Sequence, residues 1–147
     1  MTGSGDALRV EETTSIIGYR LRRAQLAIFQ QFLSTFETLN LRPAEFSVLV
    51  LIGNNPGRKQ TEIAEVLGIK RANFVTLINR LDSRGLTERR VVPGNRRANA
   101  LYLTPAGAGL LEEARRLQDA FETRCVEKLG GPEARDTLLD LLEKLCR

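Results

Sequence analysis

The stretch from Lys59 to Thr104 constrains this chain most, because three local signals follow one another in it without a gap. Glu62 to Leu67 reads as a short helix, with Ile63, Ala64 and Leu67 at i, i+1 and i+4. Gly68 ends it with a positive φ that glycine adopts at little cost, and Ile69 fills the corner. A second helix is predicted from about Arg71 to Ser83, with Phe74, Leu77, Ile78 and Leu81 on one face. The opposite face, Arg71, Ala72, Asn73, Thr76, Asn79 and Arg80, is small, polar or cationic. Gly85 closes that helix and the pattern changes to period two. Residues 86–92 and 98–103 read as strands around a turn of Pro93, Gly94, Asn95, Arg96 and Arg97.

Helix, turn, helix and basic hairpin in this order make a winged helix-turn-helix, in which the second helix is shaped to enter a DNA major groove. Arginine and asparagine read base edges there, and small side chains allow close approach. Arg71, Asn73 and Thr76 are the candidates for base edges, with Ala72 and Val75 placed to touch thymine methyls. Arg80, Lys59 and Gln60 are candidates for phosphates, helped by the free amides at the start of the first short helix. Arg96 and Arg97 at the hairpin tip fit a minor groove or a phosphate. The plainer readings are a solvated helix side and an ordinary exposed turn. Arg89 and Arg90 alternate around a strand, so only one of them faces DNA, and Arg89 is as well suited to a structural role.

The run LGIKRANFVTLINRLDSRGLTERR followed by PGNRRANALYLTPAG resembles the MarR family of bacterial transcriptional regulators. The glycine turn, the helix spacing, the RGL exit, the paired arginines of the wing and the LTPAG start of the next helix carry the resemblance, which extends from about Ile16 to the C-terminus. It implies a homodimer on double-stranded DNA and a small aromatic or anionic effector, such as an aromatic acid or its coenzyme A thioester. The effector would sit in a cleft between the dimer platform and the winged module. Tyr19, Arg20, Arg23 and Phe46 are the candidate effector residues on this basis, against core packing and surface charge as the plainer account. The wing departs from the family in one place: Asn95 stands where an aspartate commonly orients one of the arginines.

The flanks fit a shared platform. Residues 1–12 are small, polar and charged and read as a mobile tail. A long helix reaching about Leu39 follows, with caps offered by Thr13, Thr14 and Ser15. It carries one apolar stripe through Ile17, Leu21, Ala24, Ile28 and Phe32 and another through Leu26, Phe29, Leu33 and Phe36. Two stripes imply burial on two sides, either deep in one core or shared with a second subunit, and in a chain of 147 residues the second is preferred. Phe46 to Ile52 is almost wholly apolar and reads as the central buried helix. Thr104 and Pro105 start another long helix to about Leu129, and Glu133 to Cys146 forms the last. The expected architecture is therefore mainly α with a small β-hairpin wing: a winged helix-turn-helix over residues 40–103 and an α-helical dimerisation platform over 13–39 and 104–147.

Composition removes other classes. The chain has no histidine, no metal-ligand spacing, no phosphate-cradling glycine loop, and no serine or cysteine beside an evident base. It is not expected to be an enzyme or to hold a cofactor or metal. No apolar run reaches membrane-spanning length and the first residues lack a leader pattern, so a cytoplasmic protein with reduced Cys125 and Cys146 is expected. A cysteine-based redox regulator is disfavoured, since Cys125 lies on an apolar stripe. The competitor from another class is a winged helix used as a protein-interaction module with an acidic partner. The net charge of +4 allows either partner.

These readings predict binding to duplex DNA that weakens steeply with salt. Replacing Arg97 by alanine is expected to weaken binding on all sequences. Replacing Asn73 is expected to relax preference at one base pair, and an equal loss on every sequence would remove its base-reading role.

Overall fold

The structure, a computed structural model, describes residues 7–147, with the backbone alone for residues 96–98. Its elements in order are α1 (Glu11–Thr14), α2 (Ile17–Thr35), a 3-10 turn (Glu37–Leu39), α3 (Pro43–Asn54), α4 (Gln60–Leu67), α5 (Arg71–Ser83), β1 (Thr87–Val92), β2 (Asn95–Leu103), α6 (Pro105–Leu129) and α7 (Pro132–Leu145). The mainly helical fold with a small antiparallel hairpin is the one expected. Several boundaries differ, among them the start of the long helix, which lies at Ile17 with Ile16 as its cap rather than Thr13, Thr14 or Ser15. The first six residues of the expected tail lie outside the described residues, and Glu11 and Glu12, also assigned to the tail, begin a helical turn. The first long helix stops at Thr35, because Phe36 leaves helical geometry to turn inward and becomes fully buried. The hairpin turn is shorter than expected, so residues 95–97 already belong to β2.

The core lies under the winged module. Val48, Leu49 and Ile52 of α3 meet Phe74, Ile78 and Leu81 of α5, Leu101 of β2 and Leu111 and Ala114 of α6, all buried. Fully burying an aliphatic or phenyl side chain contributes about 1.5–3 kcal/mol, so these few residues supply much of the driving force. The α4 and α5 helices meet at Gly68, whose φ of +65° is the left-handed conformation that glycine adopts freely. The hairpin is tied in from its side: the Leu101 N–H donates to the Arg58 carbonyl and the Gly57 N–H to the Leu101 carbonyl, each at 2.9 Å. Lys59 bridges to Ala100 in the same antiparallel sense.

Thr104 joins the hairpin to the long helix. Its hydroxyl donates to the Gly85 carbonyl at 2.6 Å and accepts from the Gly107 N–H at 3.0 Å, while its own N–H donates to the Leu86 carbonyl at 3.1 Å. The first turn of α6 thereby presses on the Leu86 backbone so closely that a Cβ on Gly107 would come within 1.9 Å of the Leu86 oxygen. Outside this module the helices are far less covered. Among the described residues, α2 and α7 contain no buried side chain. Among the described residues no helix is long and apolar enough to cross a membrane.

Gly107→Ala is therefore expected to lower the unfolding free energy by about 1–3 kcal/mol or more, since backbone must move. Gly109, two residues on, has open space around the same position, and Gly109→Ala is expected to be neutral or to stabilise by up to about 1 kcal/mol. Urea unfolding of the two variants tests this, and equal midpoints would refute the close approach.

Candidate nucleic-acid interface

The polar face of α5 divides into two halves with different surroundings. In the first two turns, Arg71, Ala72, Asn73 and Thr76 are exposed and Val75 is half-buried. The only hydrogen bond from these side chains among the described residues is the Thr76 hydroxyl back to the Ala72 carbonyl at 3.2 Å. Arg71 follows Lys70, the N-terminal cap residue of the helix, so two cations stand together where α5 begins. Here side chains are uncommitted, and Phe74 and Ile78, buried on the opposite side, hold the helix in the core.

The second half is committed to the fold. Arg80 Nε lies 3.1 Å from Oε2 of Glu45, a carboxylate only 2% exposed, and Arg80 Nη2 reaches the Asn40 side-chain oxygen at 3.3 Å. Arg84 donates to the carbonyls of Asn40 at 2.8 Å and Leu39 at 2.9 Å. Arg89 donates to Asp82 and to the Asn79 side-chain oxygen, each at 2.6 Å, and the Thr87 hydroxyl donates to the other oxygen of Asp82. Arg80 and Asn79 were grouped with the DNA-facing surface from sequence. The structure instead turns Arg80 inward to a buried acid, where loss of its partner would leave an uncompensated charge. Helical periodicity places residue 80 on the polar side but cannot show that Glu45, far away in sequence, lies opposite it.

Arg90 lies over the Tyr102 ring, 3.9 Å from its centre, and pairs with Glu88 at 3.1 Å. The register explains why it parts from Arg89. Arg89 is opposite Leu101, on the face packed against α5, whereas Arg90 is opposite Ala100 on the other. Of the arginines between residues 84 and 90, none is without an internal partner. The local basic charge is thus partly neutralised before any ligand arrives.

Lys59 is exposed and is the N-cap residue of α4, so a cation stands next to the helix start whose first amides are open to an anion. Gln60 is half-buried, and its Oε1 has no partner among the described residues. At the hairpin, Gly94 takes φ +80° and Asn95 is opposite Val92, with the register shifting between Val91 and Val92. The side chains of Arg96 and Arg97 lie outside the described residues; their backbone continues the strand away from the tip.

The four effector candidates do not converge within one subunit. Tyr19 and Arg23 are exposed on α2, and Arg20 Nε donates to the Thr14 carbonyl at 2.6 Å. Phe46 belongs to an aromatic cluster with Phe32 and Phe36, at centroid distances of 6.1 and 5.3 Å. Tyr19 and Phe32 are 13 residues apart on one helix, hence about 20 Å along its axis. A cavity of about 180 Å³ opens instead beside Phe32, lined by Gln25, Ile28, Phe29, Phe32 and Pro43. Its apolar residues were legible as stripes on α2, but the slot depends on where Pro43 starts α3. Among the described residues no group of His, Cys, Asp or Glu is placed to hold a metal. Cys125 is half-buried and Cys146 exposed, both free.

Comparison with known proteins agrees with this geometry. The MarR family model matches residues 39–98, from the end of the 3-10 turn through the start of β2. The putative transcriptional regulatory protein for the hcr operon of Thauera aromatica is 35% identical over 136 residues, covering 89% of this chain and 79% of that protein. The transcriptional repressor CouR bound to a 23-mer DNA duplex superposes with a TM-score of 0.93 at 43% identity, covering 97% of this chain and all of that one. CouR bound to p-coumaroyl-CoA superposes with a TM-score of 0.87 at 42% identity, covering 95% and 98%. These proteins are regulators rather than enzymes, and with such identity along most of its length the chain belongs to the MarR family of winged helix-turn-helix transcriptional regulators.

Proposed function

We propose that this regulator is a repressor that binds an inverted-repeat operator as a homodimer and is released by an aromatic acyl-coenzyme A or the corresponding acid. The observation that carries the reading is the division of α5. Arg71, Asn73 and Thr76 are uncommitted on a helix whose other polar groups are locked into the fold. Ala72 and Val75 supply small and methyl contacts, and Lys59 with the start of α4 supplies a phosphate contact. Gln60, Arg96 and Arg97 add contacts on either side, and Arg80 acts through the helix it holds rather than through a phosphate.

The dimer rests on α2. Ile17, Leu21, Leu26, Ile28, Phe29 and Leu33 all remain exposed on it, and Leu138, Leu141 and Leu145 on α7. A patch of this extent on a lone subunit marks an interface. A second copy covers it with the same residues in return, and places two recognition helices about one DNA turn apart.

The effector reading combines two features of α2. The slot beside Phe29, Phe32 and Pro43 suits an aromatic ring, and Phe46 meets Phe32 edge-on. Nearer the N-terminus, Arg20, Arg22 and Arg23 lie within the first two turns, where the helix dipole disfavours cations. Arg22 and Arg23 have no acidic partner among the described residues. Such a cluster suits the phosphates of a coenzyme A thioester, and Tyr19 offers a flat surface beside it. The CouR complex with p-coumaroyl-CoA supports this class of ligand.

Selection from random duplexes at about 0.15 M salt is expected to enrich an inverted repeat with half-sites about 10 bp apart. Only salt-sensitive general binding would favour a protein partner instead. Mass measurement at micromolar concentration is expected to give a dimer; a monomer would remove the platform from the argument. On the selected DNA, p-coumaroyl-CoA is expected to weaken binding about 5–150-fold and p-coumarate less. Equal effects of the two would remove the arginine cluster from the effector site.

A further inference from the structure

The last turn of α5 grips the corner between α2 and α3, away from the groups that face DNA. The planar Arg84 guanidinium spans two consecutive carbonyls, with Nη1 donating to Asn40 at 2.8 Å and Nη2 to Leu39 at 2.9 Å. Arg80 adds a bond to the Asn40 side-chain oxygen at 3.3 Å and its ion pair with Glu45 at 3.1 Å. The carbonyls belong to the open end of the 3-10 turn that continues directly from α2. Asn40 holds φ +49°, the one positive φ among the described non-glycine residues. The corner backbone thus sits in a left-handed conformation that few side chains other than asparagine tolerate.

We propose that the Arg84 fork is the element through which an effector between α2 and α3 moves the recognition helix. The proposal rests on the ligand-responsive reading above and assigns its route. A rigid guanidinium satisfies two carbonyls only while they keep one spacing. The aromatic slot is walled by Phe29 and Phe32 on α2 and by Pro43 on α3, so a ring that wedges there bears on the segment joining the two helices. Any rotation of α2 against α3 that separates the carbonyls of residues 39 and 40 breaks one arm of the fork. The end of α5 is then released, and the reading groups at its start lose their orientation. Engaged and broken forks are the two states that ligand and DNA bias in opposite directions. Arg84 is a positioning residue, because it touches neither effector nor base.

The test is Arg84→Met in the full chain, a side chain of similar length with no donor. Three quantities are measured: affinity for the selected DNA with and without p-coumaroyl-CoA, affinity for p-coumaroyl-CoA alone, and amide exchange along α5. Ligand affinity is expected to stay within about twofold and the ligand-induced loss of DNA affinity to shrink at least about fivefold, with faster exchange in α5. The salt dependence of DNA binding is expected to match the wild type, since no phosphate contact is removed. Arg84→Lys, which keeps a single donor group, is expected to fall between, and carries the comparison should the methionine variant unfold. Unchanged ligand response with wild-type exchange overturns the proposal, and so does a salt slope reduced by about one, which would make Arg84 a phosphate contact. If the wild type ignores p-coumaroyl-CoA, it is the effector reading that fails. The fork is then decided by α5 exchange and ligand-free DNA affinity: a faster-exchanging, weaker-binding variant upholds the grip, and wild-type values on both refute it.

Discussion

Glu45 carries a carboxylate into the interior near the start of α3, where water cannot solvate it. An uncompensated charge at 2% exposure would destabilise the fold by several kcal/mol, so the surroundings are arranged to answer it. One oxygen accepts the Arg42 N–H at 2.9 Å and so completes the first turn of α3. The other faces Arg80, which arrives from a different helix. A single acid therefore fixes two things at once, where α3 begins and how far α5 can slide along it. A hydrophobic contact would tolerate small displacements, whereas a charge pair and the neighbouring Arg84 fork restrict both distance and direction. The orientation of the first turn of α5 follows from these contacts at its other end.

The arginines show why charge counting is a poor guide to a nucleic-acid surface. Five of them, Arg84, Arg89, Arg90, Arg96 and Arg97, fall in a short segment that sequence alone marks as a basic patch. In the structure Arg84 caps carbonyls, Arg89 joins β1 to Asp82 and Asn79, and Arg90 stacks on Tyr102. Each of these fixes one part of the winged module to another. Among the described residues of the winged module, the cations without an acidic partner include Lys59, Lys70 and Arg71, at the start of α4 and α5. That arrangement places uncompensated charge beside the amides of two helix starts, where an anion is favoured by both.

Local signals made the module legible. Gly68 and Gly85, each at a positive φ in the structure, mark the two turns that bound α5, and Thr104 with Pro105 marks the start of α6. The strands were legible from alternation, and their register sets Arg89 and Leu101 on one face and Arg90 and Ala100 on the other. What could not be read is every contact that joins distant segments. The Glu45–Arg80 pair and the Arg84 grip on Asn40 link residues 35 to 45 positions apart with no periodic trace. The apolar slot beside Phe32 failed to emerge for the same reason. Its apolar residues are regular features of α2, and only the approach of Pro43 makes a cavity of them.

The weakness of α2 within one subunit is itself informative. A helix of 19 residues with no buried side chain is not held by its own chain's core. It touches the winged module at its end, where the Phe32 ring meets Phe46 of α3 at 6.1 Å and the 3-10 turn enters the arginine grip. If a second copy fixes the exposed length of α2, that end becomes the pivot on which the module is carried. Two modules pivoting on two such ends change the separation of their α5 starts by more than the pivots move, because α5 runs about 20 Å from Arg84 at the corner to Arg71. A small ligand beside Phe32 then acts at the short end of a lever. On the proposed function, a small shift there takes two half-site contacts out of register without the ligand approaching DNA.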